Sequence, residues 1–105
     1  MNKSDSRRID DLLIAILALR NSDEALAFFR DLLTEPELIE CSKRWQTAKM
    51  LSESVSYVDI VRETGLSSTT VARVSKWLQG KEGGYRLILN RMHHHATISR
   101  ERGLR

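Results

Sequence analysis

A chain of 105 residues has the length of one domain with a core of modest size. Its composition is 41% hydrophobic and 30% charged, with five glycines and one proline. So few breakers favour long helices over strands and tight turns. The net charge of +3 hides an asymmetry: residues 1–55 carry eight Lys/Arg against ten Asp/Glu, and residues 56–105 carry nine against four. A basic C-terminal half suits a nucleic-acid face and equally suits a solvated basic surface. With Cys41 as the single cysteine, no intrachain disulfide can form, which points to a reducing compartment. No apolar run approaches a membrane span, and Met1–Asp11 is too polar for a secretory signal. The expectation is a cytoplasmic protein.

The first helix is expected to begin near Ser4 to Ser6 and reach about Leu19. Ile9, Leu12, Leu13, Ile16, Leu17 and Leu19 recur at helical spacing and cover a broad face. Asn21-Ser22-Asp23 interrupts the pattern and offers a cap to a second helix carrying Ala25, Leu26, Phe28, Phe29, Leu32 and Leu33. Two apolar faces this wide fit either an intertwined dimer or a well-covered monomer core. Thr34-Glu35-Pro36-Glu37 then reads as a helix start, because Thr34 can accept a backbone N–H and Pro36 lacks the donor that a first turn leaves orphaned. Glu37 stands three residues after Thr34, the spacing of a capping box. The third helix should run through Leu38, Ile39, Cys41, Trp45, Ala48, Met50 and Leu51 and stop at Ser52–Ser56. After Gly80 and Gly83-Gly84, Tyr85 to Met92 can form one short helix with Leu87, Ile88 and Leu89 turned inward. Little is left to bury from His93 onward, which predicts a single helical domain over 1–92 and a basic, flexible tail over 93–105.

The stretch from Tyr57 to Leu78 has the grammar of a helix-turn-helix. Ser56 can cap a short helix that turns Ile60 and Val61 inward, and Gly65 supplies the left-handed geometry of a sharp turn. Leu66 plugs the corner, Ser67 can cap the next helix, and Val71, Val74 and Leu78 form its buried stripe. The other face carries Ser68, Thr69, Thr70, Arg73 and Lys76. Hydroxyls suit phosphates and base edges, a Thr methyl suits a thymine methyl, and Arg suits guanine. Backbone donors at the helix start add a phosphate contact, which Ser56 and Tyr57 can extend from the supporting helix. A helical hairpin with an ordinary polar surface is the plainer alternative.

On Leu32-Leu33-Thr34-Glu35-Pro36-Glu37, Lys43-Arg44-Trp45, the Ser56–Leu78 segment and Gly83-Gly84-Tyr85, the chain resembles the tryptophan repressor family, and more closely its uncharacterised YerC/YecD-type relatives. The resemblance spans roughly Asp11 to Leu89. It implies an all-helical, tryptophan-repressor-like bundle, assembled as an intertwined homodimer that sets two reading heads in successive major grooves of double-stranded DNA. It also implies a ligand pocket at Arg44 and Arg73, the positions matching the two arginines that hold tryptophan in responsive members. Two departures stand out: Val74 replaces a glycine and Trp77 a small serine, and both add volume where the ligand would lie. The expectation is that Trp77, with Trp45, fills or covers the pocket, while simple core packing is the alternative for both rings.

His93-His94-His95 lacks the spacing of a preformed metal site, and Cys41, amid an apolar helical face, is expected in the core. There is no Gly-rich phosphate loop and no paired-carboxylate cleft. No catalytic residue, metal or cofactor is therefore expected. The reading is a sequence-specific transcriptional regulator, a repressor by resemblance, that binds DNA as a homodimer without tryptophan control. A helical protein-interaction adaptor and a repressor gated by another small ligand stay open as alternatives.

Overall fold

The computed structural model describes the backbone of residues 1–101 and the side chains of residues 1–93. It contains six helices: α1 (Lys3–Leu17), α2 (Ser22–Leu32), α3 (Glu35–Ser52), α4 (Tyr57–Thr64), α5 (Ser68–Gln79) and α6 (Gly84–Glu101). Among the described residues there is no strand, as the scarcity of breakers predicts. Two compact units divide the chain, Met1–Leu38 and Ile39 onward.

In the first unit, each helix start is closed by an Asn or Thr side chain. Asn2 accepts from the Asp5 N–H at 2.8 Å, one turn earlier than the serines in α1 suggest, and Asn21 accepts from the Glu24 N–H at 2.9 Å. The Glu24 carboxylate reaches back to the Arg20 N–H at 3.0 Å, so both ends of that turn are satisfied. The capping box at α3 forms as its spacing predicts. Glu37 accepts from the Thr34 N–H at 2.8 Å, and the Thr34 hydroxyl accepts from the Glu37 N–H at 3.3 Å. Those bonds, the backbone one foremost, hold the Glu37 carboxyl below its ordinary value and keep it charged at the positive helix end.

What the first unit does not build is a core. No residue of α1 or α2 is buried, and Leu13, Ile14, Leu17, Leu26 and Leu32 are exposed. Phe28 and Phe29 meet edge to face at 5.7 Å and are half-buried. Within this unit the two wide apolar faces form no well-covered core.

The core lies in the second unit. Ile60, Leu66 and Val71 pack together, with Met50, Leu51, Val55 and Val61 against them, and Ala48, Val74 and Leu78 are buried as well. Cys41, expected in the core, is exposed. It lies seven residues before Ala48 and so on the same helical stripe, but burial on that stripe starts only at Thr47 and Ala48. The last helix also departs from expectation, running to Glu101 rather than ending near Met92. Between Tyr85 and Glu101 there is no Gly or Pro to break the backbone ladder, and loss of apolar residues alone does not end a helix. His93 is exposed; the side chains of His94 and His95 and residues 102–105, part of the predicted tail, lie outside the described residues.

The joint between α3 and α4 is a Schellman turn. The Val55 N–H donates to the Met50 carbonyl and the Ser54 N–H to the Leu51 carbonyl, both at 3.0 Å. This geometry puts Ser54 at φ 63°, a left-handed position that usually takes glycine. A side chain there costs about 1–2 kcal/mol, partly offset by the greater freedom of unfolded glycine. Ser54→Gly should therefore stabilise the chain by about 0.5–1 kcal/mol. Urea unfolding measures it, and an unchanged or lowered midpoint would show that the serine side chain makes up the strain.

Candidate nucleic-acid interface

The reading head is built by local chemistry at each of its corners. Ser56 caps α4 by accepting from the Asp59 N–H at 3.2 Å, and Ser67 caps α5 by accepting from the Thr70 N–H at 3.1 Å. Between them Gly65 ends α4 at φ 71°, its N–H bound to the Val61 carbonyl at 2.9 Å. Leu66 is buried in the corner. Val71, Val74 and Leu78 then fall on the covered side of α5 with exposures of 0%, 0% and 6%. Cap, turn, plug and stripe all fall where the sequence places them.

Two residues that sequence reasoning passed over complete the corner. Thr64 is buried, and its hydroxyl donates to the Ile60 carbonyl at 2.7 Å while accepting from the Leu66 N–H at 3.2 Å. One side chain thus bridges the end of α4 to the first residue past the turn, where water does not reach. Lys43 is the other: its ammonium lies 4.0 Å from where a Cβ on Gly65 would stand. A cation at the carbonyl end of α4 complements the helix dipole. The sequence signal for Thr64 was a hydroxyl four residues after an inward Ile, which is ambiguous without knowing that a turn follows.

On the open side of α5, Ser68, Thr69, Arg73 and Lys76 are exposed and Thr70 is half-buried, its hydroxyl 3.0 Å from that of Ser67. The first turn of α5 contains no acidic residue. Among the described residues the ion pairs are Arg8–Asp5, Arg44–Glu40 and Arg62–Asp59, which leaves Arg73 and Lys76 without an anionic partner. Ser56, Ser67 and Tyr57 are exposed at the starts of the two helices, Tyr57 at 44%. These exposed groups comprise hydroxyls, backbone donors and two cations, the chemistry that meets phosphates and base edges.

The four residues expected around a ligand pocket are placed differently from one another. Val74 is fully buried on the covered side of α5. Arg44 sits with its guanidinium 5.9 Å from the Trp77 ring centroid and donates to Glu40 at 2.9 Å. Trp77 remains 46% exposed. Arg73 is exposed on the open side of α5, and Trp45 stacks at a tilt on Tyr85 of α6, 6.2 Å between centroids, rather than joining Trp77.

Comparison with known proteins agrees with this architecture. The family model described as Trp repressor protein matches residues 7–93. An uncharacterised protein of Bacillus subtilis, YerC, is 33% identical over 99 residues, spanning 94% of this chain and 95% of YerC. A TrpR-like protein from Eubacterium eligens superposes with a TM-score of 0.78 at 39% identity, covering 83% of this chain and 90% of that one. A Staphylococcus aureus structure described as a candidate Trp repressor gives 0.79 at 36% identity, over 89% and 96%. Among the described residues, no helix is long and apolar enough to cross a membrane.

The turn itself supplies a test. Thr64→Val keeps the shape of the side chain but strips the buried Leu66 N–H of its acceptor, and such a loss costs about 1–3 kcal/mol. Chemical unfolding should show a destabilisation of that size, and a change below about 0.5 kcal/mol would mean that the corner does not depend on this bond.

Proposed function

The chain belongs to the Trp repressor protein family, and from that premise we infer that it is a sequence-specific, DNA-binding regulator of transcription. The observation that carries this reading is the open face of α5: Arg73 and Lys76 exposed and unpaired, with Ser68, Thr69 and Thr70 at the leading end. Arg73 and Lys76 contact DNA from within the major groove, and Ser56 and Tyr57 hold a phosphate from the start of α4. The protein acts in the cytoplasm as a homodimer. Its support is the pair of uncovered apolar faces on α1 and α2, which a second copy buries. Two heads related by a two-fold axis read two half-sites about one helical turn apart. By family it represses rather than activates.

Tryptophan is not its effector. Val74 stands fully buried where the responsive members carry a glycine, and the Arg44 guanidinium is engaged by Glu40 and the Trp77 ring. Adding an indole against these side chains would force them off their rotamers, at about 1–3 kcal/mol.

Two measurements check these readings. Selection from a random duplex pool should return a two-fold symmetric consensus, and binding to it should fall steeply as salt is raised. Arg73→Ala should then weaken binding to the selected duplex by about 1–3 kcal/mol and binding to scrambled duplex by less. No binding to any duplex at low salt, with a stable protein complex instead, would favour the adaptor. Calorimetric titration of the purified protein with L-tryptophan should give no heat of binding; a micromolar Kd would overturn the claim of independence.

A further inference from the structure

α5 is held by different neighbours along its length. Its first half sits on the corner core through Val71, which packs with Ile60 and Leu66. Beyond Val74, Ser75 and Leu78 are buried, Arg86 of α6 donates to the Leu78 carbonyl at 3.4 Å, and the C-terminal turn leads into Gly80, whose N–H bonds the Trp77 carbonyl at 3.1 Å. At that end one side chain of α3 reaches across: Arg44, over the Trp77 ring at 5.9 Å.

The environment of Arg44 distinguishes this contact from an incidental surface pair. One guanidinium nitrogen donates to Glu40, four residues earlier on the same helix, which aims the side chain along α3. Its Nε is out of reach of water and has no hydrogen-bond partner. Burying a charged donor without an acceptor is costly, so the position needs a favourable contact to hold it. The face of the Trp77 ring is that contact, since an indole attracts a planar guanidinium more strongly than any other side-chain ring. The neighbouring residue, Trp45, meets Tyr85 at the start of α6, so consecutive side chains of α3 engage the elements on both sides of the Gln79–Gly84 bend.

We propose that the Glu40–Arg44–Trp77 chain is a strut that sets the pitch of the reading helix against α3, making Arg44 and Trp77 positioning residues for DNA recognition that do not themselves touch DNA. This rests on the DNA-binding reading for its consequence, but not for its structural part. The strut is internal, so the reading helix is ordered without any small molecule.

The test is a double-mutant cycle in the full chain with Arg44→Met and Trp77→Leu. Each single variant should speed hydrogen exchange at the amides of Ser75–Gln79 by about two- to tenfold, and leave α4 unchanged. The double variant should be no faster than either single. Affinity for a duplex selected by the wild type should fall by a similar factor with the salt slope unaltered, since no phosphate contact is lost. Trp77→Phe should recover most of both effects because a ring face remains, whereas Arg44→Lys should not, lacking the planar group. Additive effects of the two single changes, unchanged exchange in α5, or a shallower salt slope for Arg44→Met would each overturn the proposal. If Trp77→Leu does not fold, the cycle run with Trp77→Phe reads the same coupling at smaller amplitude. If the wild type binds no duplex, the DNA reading fails and the exchange data still decide the strut.

Discussion

The left-handed backbone at Gly65 decides how the reading head is assembled. With φ at 71°, the chain leaves α4 in the one direction that lets α5 lie across it. That turn drops Leu66 into the corner and brings its N–H to the Thr64 hydroxyl, so the polar cost of a buried corner is met at the same place where the apolar gain is made. Ser67 then begins α5 on a capped donor, and the buried stripe of Val71, Val74 and Leu78 follows from where that helix starts. Because one side of α5 is occupied by this stripe, Ser68, Thr69, Arg73 and Lys76 have only the open side to take. The orientation of the functional face is thus inherited from a single backbone angle.

The residues that were legible in the sequence are those whose role is complete within a few neighbours. A capping box needs only Thr34 and Glu37, and a helix-turn-helix corner needs only a glycine, a plug and a cap at fixed offsets. Positions whose fate depends on distant packing were not legible in the same way. Cys41 shares a stripe with Ala48, and periodicity alone cannot say that cover begins two turns later. Ser54 occupies a left-handed position for which the usual signal is glycine, so its three-serine neighbourhood announced a helix stop without revealing the turn. The length of α6 is not legible in the pattern, because apolar periodicity fades before the helix ends. Around Arg44 and Trp77, resemblance supplied the idea of a shared neighbourhood; the contact between them, and the separate pairing of Trp45 with Tyr85, needed coordinates.

Membership of the Trp repressor family and the details of this chain pull in different directions at the reading helix. The open face keeps what DNA recognition requires, while on the α3 side Val74 is buried and the half-exposed Trp77 lies against Arg44. A ring that is covalently part of the chain avoids the entropy lost when a free ligand is captured, and in the proposed strut it orders the reading helix without a metabolite. Under the proposed independence from tryptophan, regulation has to come from somewhere other than occupancy of that space.

The bare apolar faces of α1 and α2 suggest where. Ordering a backbone costs about 1–2 kcal/mol per residue, and in this chain neither helix recovers that cost by burying a residue. In the proposed homodimer the recovery would be intermolecular, so the N-terminal helices would gain their packing energy from a second copy. Stability and pairing would then be linked by mass action, so that the fraction of paired heads would depend on protein concentration. On that proposal a rise in expression would shift the population from lone heads, each meeting one half-site, to paired heads at a fixed spacing, and occupancy would climb more steeply than concentration itself.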